Sequence, residues 1–432
     1  MVRRMMPVLL GSLAAGSLSA QGLTPVEQRI VDAIDARTGA AVALLERVVN
    51  INSGSLNPDG VRRVGDIFRA EFDALGFATK WIPMAEVERA GHLFAEREGT
   101  GPRVLLIGHL DTVFESDSPF QRYVREGTIA RGPGTEDMKG GDIVVLLALQ
   151  ALADAGQLDR MNLIVAFTGD EEETGDPLSI SRRDLIEAGR RSAYALGFEG
   201  GVGGTGTATI ARRGFTDWTL QVRATPGHSS LIFRPEFGSG AINEAARIVA
   251  AFHEQLRGEE YLTFNPGLIL GGTDVQLDDL TRGRAFGKTN VIADAATVKG
   301  DMRTISLEQR ERTKRRMAAI VAQHLPGTTA EITFQDSYPP MAPTDANYAL
   351  LARLDRVSRD LGFGPVTEVD PGMRGAADAS FVAGVVGAVL DGLGVVGDGG
   401  HTEGELVDLD TVGFMAKRAA LLLNRLTRDP VP

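Results

Sequence analysis

The chain has 432 residues, of which 43% are hydrophobic and 24% charged, and its formal net charge is −12 at pH 7. These values predict a soluble globular protein of about two domains. The acidic balance argues against binding to nucleic acid or to an anionic membrane surface, because both require a basic face. No internal run is long and apolar enough to span a bilayer. Because the sequence contains no cysteine, any metal ion must be held by histidine and carboxylate.

The N-terminus has the layout of a secretory signal peptide. Arg3 and Arg4 precede an apolar segment that ends in small residues, with a cleavage point after Ser19 or Ala20. We therefore predict a leader over residues 1–20, a periplasmic or secreted location, and no membrane span after processing. An uncleaved anchor is the alternative, although the apolar stretch is short for a span.

The next part of the chain alternates helices and strands. Thr24-Pro-Val-Glu27 is a capping box with proline at the first helical position, and it predicts a helix to about Val49. The periodicity predicts further helices near residues 58–75 and 139–155, and strands near 78–83, 92–97, 104–107, 163–168 and 193–198. This alternation predicts an α/β fold with a mixed, mostly parallel sheet and helices on both faces.

The pattern changes between residues 213 and 337, where strands near 215–222, 262–270, 291–303 and 330–334 accompany helices near 241–256 and 307–325. This predicts an inserted α+β lid or dimerisation domain. The first pattern resumes with a helix at 348–361, a strand at 385–390 and a helix at 410–426. The predicted catalytic domain is thus discontinuous, with one part at 21–212 and the other at 338–432.

Polar residues follow several of the strand-like runs or stand at the mouths of loops. Ligands of open α/β sheets bind at the carboxyl ends of the strands. A buried carboxylate is costly unless it is neutralised, and no matching set of lysines or arginines stands at the same strand ends, so divalent cations would supply the charge. These polar residues are His109, Asp111, Asp137, Glu171, Glu172, Glu199 and His401.

Each motif also has a simpler explanation when it is taken alone. His109 and Asp111 are equally compatible with a hydrogen-bonded strand end, and the acidic run at 170–173 with a solvated turn. In the glycine-rich loop at 132–141, the pair Glu136-Asp137 leaves the ligand ambiguous. Gly201-Val-Gly-Gly-Thr-Gly206 matches a dinucleotide motif, but strand-like residues follow it where that motif requires a helix.

Together the motifs resemble the zinc metallopeptidase family of glutamate carboxypeptidases, aminoacylases, acetylornithine deacetylase and succinyl-diaminopimelate desuccinylase. The resemblance covers nearly all of the chain after the leader, in order, and looks most like the bacterial glutamate carboxypeptidases. The motifs are Gly-His-Leu-Asp-Thr at 108–112, Asp-Met-Lys-Gly-Gly at 137–141, Asp-Glu-Glu at 170–172, Gly-Phe-Glu at 197–199 and Gly-Gly-His at 399–401.

The resemblance implies a role for each of these residues. It implies that Glu171 is the general base and that Asp111 orients the first histidine ligand. In the inserted domain it implies that His228 stabilises the oxyanion from a partner chain of a homodimer, and that Asn290 and Arg303 bind the substrate carboxylate. It implies two zinc ions per chain, bridged by Asp137 and held by His109, Asp137, Glu172, Glu199 and His401.

Three positions depart from the family pattern. Glu136 replaces the small residue usual before the bridging aspartate, Glu173 extends the acidic run, and Gly200-Gly201 form a loose loop after Glu199.

We expect a secreted or periplasmic metallopeptidase that hydrolyses an amide bond in a small peptide or N-acyl amino acid and releases a C-terminal amino acid. The water would be activated by two zinc ions. An N-acyl amino acid deacylase is the nearest alternative. A non-catalytic secreted binding protein with the same fold is an alternative of another class, against which the presence of Glu171 argues.

Overall fold

The computed structural model describes residues 22–278 and 282–428, so the predicted leader lies outside the described residues. Over these two ranges, no helix is both long and apolar enough to cross a membrane. The helices are α1 Pro25–Val49, α2 Pro58–Ala74, α3 Lys139–Asp154, α4 Leu178–Ser181, α5 Arg183–Arg190, α6 Ala241–Leu256, α7 Leu307–Val321, α8 Asp345–Asp360, α9 Ala379–Val382 and α10 Asp410–Leu426.

Among the described residues, the strands fall into one six-stranded sheet, two four-stranded sheets and two pairs. They are β1 Ala78–Met84, β2 Arg89–Arg97, β3 Arg103–His109, β4 Val124–Glu126, β5 Ile129–Arg131, β6 Asn162–Thr168, β7 Tyr194–Gly197, β8 Thr207–Ala208, β9 Gly214–Ala224, β10 Thr263–Gly272, β11 Asp274–Leu277, β12 Gly283–Phe286, β13 Ala295–Thr304, β14 Thr328–Asp336, β15 Thr367–Glu368, β16 Ala388–Leu390, β17 Gly397–Asp398 and β18 Leu406–Asp408.

The six-stranded sheet has the order β1-β2-β6-β3-β7-β16. The pairs β6–β3, β3–β7 and β7–β16 are parallel, whereas β1–β2 and β2–β6 are antiparallel. Successive side chains of β3 point to opposite faces, so Leu106 packs in the core beneath α1, α3 and α10, and Leu105 packs in the core beneath α5 and α9. The predicted mixed α/β sheet with helices on both faces is confirmed.

A smaller unit has its own core. Its antiparallel sheet has the order β10-β13-β9-β14, and α6 and α7 pack on one face through residues such as Trp218, Phe252 and Met317. Because β9 begins at Gly214 and β14 ends at Asp336, the whole sheet lies within the predicted insertion.

Local sequence explains several boundaries. The Thr24 hydroxyl accepts the Glu27 N–H and the Glu27 carboxylate accepts the Thr24 N–H, so the capping box predicted for α1 is present. A strand, β8, follows Gly206, so the rejection of the dinucleotide motif is correct. The short helix α5 was not predicted, because it buries only a few residues and all but one of its remaining side chains are charged.

A small sheet of order β17-β18-β5-β4 was also not predicted. Its register places Leu406 opposite Arg131, so the loop that follows Arg131 lies beside the loop that precedes Leu406. These two loops carry Asp137 and His401, which are 264 residues apart in sequence.

Candidate metal centre

Three parallel strands end at the same edge of the six-stranded sheet. The register pairs His109 of β3 with Thr168 of β6, and Ile107 of β3 with Gly197 of β7. The residues just beyond these strands, including Asp111, the acidic turn and Glu199, therefore meet at one edge, as the strand pattern predicted.

Asp137 lies between two histidines. Its Oδ1 is 3.2 Å from His109 Nε2 and its Oδ2 is 2.9 Å from His401 Nε2. Each histidine also faces a glutamate: His109 Nε2 is 3.7 Å from Glu199 Oε1, and His401 Nε2 is 3.2 Å from Glu172 Oε2. The five residues form two histidine–glutamate pairs that share one aspartate.

Glu171 belongs to the same group. Ligand atoms of His109, Glu171 and Glu199 lie within 4.8 Å of one another, and so do those of His109, Asp137 and Glu172. Burial and the charge of Glu199 raise the pKa of Glu171 well above its ordinary value. Distance alone therefore allows Glu171 to be either a base or a ligand.

Asp111 orients its neighbours from behind the group. Its backbone carbonyl is 3.1 Å from His109 Nδ1, and its Oδ2 accepts a 2.6 Å hydrogen bond from the Ser55 hydroxyl. The two carboxylate oxygens also accept the backbone N–H groups of Glu171 and Glu172, each at 3.1 Å. A carboxylate that faces the second ring nitrogen of a histidine fixes the tautomer that leaves Nε2 free for a metal.

The crowded acids and histidines of the site have shifted pKa values, because their charges are buried close together. Burial and the charge of Asp137 raise the pKa of Glu199 to about 8 and that of Glu172 to about 7. Hydrogen bonds to Asp137 and Glu172 raise the pKa of His401 to about 11. Burial also favours a higher pKa for Asp137, but its hydrogen bonds to His109 and His401 hold that pKa well below the ordinary value.

The residues present fit a divalent metal centre. Glu172 Oε1 is buried and has no hydrogen-bond partner among the described residues. Two imidazole nitrogens and several carboxylates are donors that zinc binds readily. A cation among them would satisfy the unpaired oxygen and offset the repulsion between the acids.

Two buried arginines lie near these strand ends, where the sequence predicted no matching set of lysines or arginines. The charge of buried Arg212 offsets part of the rise in the pKa of Glu199, and the charge of buried Arg374 offsets part of the rise in the pKa of Glu136. Arg212 is already bound to Asp391, with 2.6 Å between Nε and Oδ2. The guanidinium groups reduce the excess of negative charge without pairing directly with the ligand carboxylates.

The predicted residues of the smaller unit make their recorded contacts within that unit. His228 is exposed, its Nδ1 is 2.8 Å from the Ser230 hydroxyl, and its loop pairs with that of Asn290, whose carbonyl accepts the Ser229 N–H at 2.9 Å. Arg303 binds Asp301 at 3.0 Å and stacks on a phenylalanine ring. Within the described ranges, no hydrogen bond or ion pair joins His228, Asn290 or Arg303 to the candidate ligands.

Sequence reasoning missed two residues that hold the site. Glu405 is fully buried, and its carboxylate accepts the backbone N–H groups of Gly134, Glu136 and Asp137 at 2.8 to 3.2 Å. Tyr338 donates from its hydroxyl to the Glu171 carbonyl at 2.5 Å. Neither residue stands in a motif, and only the register of β18 with β5 brings Glu405 to the loop.

A mixed α/β sheet with two histidine–carboxylate pairs at its carboxyl edge, sharing an aspartate and flanked by a further buried acid, defines a metal-dependent hydrolase. The model of peptidase family M20/M25/M40 matches residues 105–425, and the chain belongs to this family. The family is metal-dependent, and the chain is a metallopeptidase or amidohydrolase of this family.

Named relatives include a peptidase and a deacylase. Carboxypeptidase G2 of Pseudomonas sp. (strain RS-16) is 26% identical over 424 residues, which cover 96% of this chain and 95% of the relative. Succinyl-diaminopimelate desuccinylase of Stenotrophomonas maltophilia (strain R551-3) is 26% identical over 376 residues, which cover 83% of this chain and 92% of the relative. The Bacillus subtilis YXEP protein, a dinuclear metal-binding peptidase of the M20 family, has a TM-score of 0.63 at 15% identity and covers 91% of this chain and 99% of its own. An identity this low shows the shared fold alone.

Proposed function

We propose that the protein is a di-zinc carboxypeptidase that releases a C-terminal amino acid from a small peptide or N-acyl amino acid. The observation that carries the proposal is the position of Asp137, whose two oxygens face two different histidine–glutamate pairs. The relation to carboxypeptidase G2 over nearly the full length of both chains supports the carboxypeptidase branch.

One ion would be held by His109, Asp137 and Glu199, and the other by Asp137, His401 and Glu172. Bound zinc ions would polarise the scissile carbonyl and make an attacking water more acidic. The chain's own contribution begins with Asp111, which fixes the His109 ring and the backbone of the acidic turn.

Glu171 would accept the proton of the attacking water and pass it to the leaving amine. A base is most effective when its pKa is near the working pH, and burial moves the pKa of Glu171 upward from the ordinary range of a carboxylate. Tyr338 and Asp111 hold the Glu171 peptide on both sides, so the carboxylate is presented from a fixed backbone.

The smaller unit would bind the substrate. The Arg303 guanidinium can form a bidentate pair with a carboxylate, Asn290 would add an amide, and His228 would stabilise the oxyanion from the partner chain of a homodimer. The Arg303 guanidinium carbon lies 4.3 Å from the centroid of the Phe215 ring, and this contact limits the positions that the planar guanidinium can take. The leader-like residues 1–20 support a periplasmic or secreted location.

An N-acyl amino acid deacylase is the second candidate, because the desuccinylase relative has the same sequence identity to this chain, 26%, as carboxypeptidase G2. The two activities differ in what lies on the acyl side of the scissile bond. A carboxypeptidase accepts the rest of a peptide there, or an acyl group of similar size, whereas a deacylase of this kind removes a short acyl group such as acetyl or succinyl.

The test compares substrates that share one C-terminal amino acid and differ only in the acyl group. The purified, zinc-loaded protein is assayed with the acetyl, succinyl, benzoyl and dipeptidyl derivatives of glutamate, alanine and lysine. We expect the highest kcat/KM with the dipeptidyl or benzoyl derivatives. Higher values for acetyl or succinyl derivatives throughout would favour the deacylase.

The control is the same set of compounds with an amidated C-terminus. If Arg303 and Asn290 bind a carboxylate, amidation should lower kcat/KM by about 10- to 100-fold, the value of a charged hydrogen bond. Equal turnover of free and amidated compounds would remove the carboxypeptidase assignment, whatever the acyl preference.

A further inference from the structure

Arg182 is a fully buried arginine between two buried aspartates. It lies between α4 and α5 and is 0% exposed. Its Nη1 is 2.6 Å from Asp170 Oδ1 and its Nε is 2.7 Å from Asp378 Oδ1. Asp378 also accepts a 2.6 Å hydrogen bond from the Thr168 hydroxyl at the end of β6.

The same arginine binds the backbone of the acidic turn. Its Nη2 donates to the Asp170 carbonyl at 2.9 Å, which is the carbonyl of the peptide that leads into Glu171. Asp170 in turn accepts the Gly175 N–H at 2.9 Å and so closes the turn over Glu171 and Glu172. The guanidinium therefore fixes both ends of the segment that carries these two glutamates.

Other contacts complete the frame. The Gly169 N–H donates to His92 Nδ1 at 3.2 Å, and His92 Nε2 is 2.8 Å from the Ser181 carbonyl, next to Arg182. The Arg182 guanidinium carbon lies 5.4 Å from the Phe381 ring centroid, and that ring packs against Tyr338, whose hydroxyl binds the Glu171 carbonyl. Each peptide group from 169 to 171 is thus held by a side chain from a distant segment.

Stability alone is a poor reason for this arrangement. A buried ion pair is often no better than apolar packing, because desolvation offsets the attraction between the charges. Here one guanidinium serves two carboxylates and a carbonyl, which requires the planar fork that arginine has and lysine lacks. What these contacts determine is the conformation of the turn that carries Glu171 and Glu172.

We propose that Arg182 is a positioning residue for Glu171 and Glu172, which fixes the proposed base and one proposed metal ligand relative to each other. The inference rests on the proposed function for the roles of these glutamates. In this role Arg182 would contact neither the substrate nor a metal. It would act through its bonds to the Asp170 side chain and carbonyl.

The test compares Arg182→Lys with Arg425→Lys. Arg425 serves as the control, because its guanidinium also joins two carboxylates, Glu27 and Asp360, each at 2.7 Å and each 5% exposed, but in helices α1, α8 and α10 that carry no candidate ligand. Its own side chain is 26% exposed, whereas that of Arg182 is 0% exposed. Both variants keep the charge and lose the fork. The readouts are Tm, kcat, KM, and Co²⁺ titration followed by the visible spectrum of the bound metal.

We expect Arg182→Lys to lower kcat by about 10- to 100-fold with KM changed less than about 3-fold, to weaken the second Co²⁺ equivalent by about 10-fold, and to alter its spectrum. Arg425→Lys should lower Tm by a smaller amount, because its side chain is partly exposed to solvent, and should leave kcat and the spectrum as in the wild type. The proposal is overturned if both variants lose kcat alike, or if Arg182→Lys changes Tm alone.

Asp378→Asn decides the matter if Arg182→Lys does not fold. It keeps an oxygen for the Arg182 Nε and removes one charge, so a kcat loss with unchanged KM supports the proposal and wild-type kcat overturns it. If the wild type hydrolyses no amide substrate, the proposed function fails, while the Co²⁺ titration of the variants still reports on the geometry of the turn.

Discussion

The predicted functional residues lie in two parts of the molecule that hold them in different ways. At the edge of the six-stranded sheet, the candidate ligands contact one another, as Asp137 and Glu172 both contact His401, and these two carboxylates have strongly shifted pKa values. In the unit built on β9, β10, β13 and β14, His228 and Asn290 are exposed, and Arg303 is 35% exposed and bound to a neighbour on its own strand.

The difference follows from what fixes each set. Parallel strand register, together with the antiparallel pairing of β18 with β5, brings the first set together within one chain, so its geometry is complete before any ligand arrives. The second set can act only if the substrate, or a second chain, is brought to it. Substitutions at the sheet edge should therefore change kcat and metal binding, whereas those in the smaller unit should depend on assembly and on substrate.

The largest effect should come from Glu171→Gln. The amide cannot accept a proton, so we expect kcat to fall by about 10²- to 10⁴-fold, the usual contribution of a general base. Metal content, measured by atomic emission on the dialysed protein, should stay near two ions per chain. A loss of one ion with this variant would instead make Glu171 a ligand, which its distances to His109 and Glu199 also allow.

His228→Ala tests the smaller unit. Loss of an oxyanion donor should lower kcat by about 10²- to 10³-fold, with metal content unchanged. A mixture of His228→Ala with His401→Ala chains should recover part of the activity if His228 acts on the partner's site, because one site of the heterodimer is then intact. No recovery after subunit exchange, verified by differential tagging, would mean that each site is completed within one chain.

The chelated protein should show the cost of the crowded acids as a pH dependence. Folding raises the pKa of Glu172 to about 7, of Glu199 to about 8 and of His401 to about 11. Between about pH 5 and 8 the folded state therefore binds more protons than the unfolded chain, and the free energy of unfolding should fall as pH rises. The low pKa of Asp137 adds no slope in this range.

Zinc should reverse that dependence. Metal ligands bind in their deprotonated forms, so the zinc-loaded protein should become more stable as pH rises over the same range. Thermal unfolding with excess chelator and with excess zinc, at intervals from pH 5.5 to 8.5, measures both slopes. Parallel curves would contradict the assignment of these residues as ligands.

Much of the fold and of the sheet-edge site could be predicted, because both follow from local patterns. The boundaries of α6 and α10 match the sequence periodicity, and the candidate ligands follow strands or open loops. Contacts between distant segments could not be predicted. Ser55 reaches Asp111 across 56 residues and Glu405 reaches the Asp137 backbone across 268, and no spacing in the sequence encodes either contact.

Glu136 shows how two departures from the family pattern form one feature. A Cβ added at Gly200 would lie 1.5 Å from Glu136 Oε1, and Cβ atoms at Gly397 and Gly400 would lie 2.7 and 3.0 Å from atoms of the same side chain. The loose loop at Gly200-Gly201 thus leaves the space that Glu136 fills. Burial and the charge of Asp137 raise the pKa of Glu136 to about 8.

The smallest effects should come from this pair, measured as a double-mutant cycle. Glu136→Ala should leave two ions bound and change kcat by less than about 3-fold, since the five proposed ligands are intact. Gly200→Ala should lower the free energy of unfolding by about 1–3 kcal/mol. The new methyl group would displace the Glu136 carboxylate, which Gly397 and Gly400 confine on its other sides. In the Glu136→Ala background that space is free, so Gly200→Ala should change the free energy of unfolding little. Urea unfolding of the four proteins should therefore give a coupling energy of about 0.5–3 kcal/mol between the two substitutions. Additive effects would mean that the loop, not Glu136, requires glycine at 200, and a lost ion in Glu136→Ala would make this acid a sixth ligand.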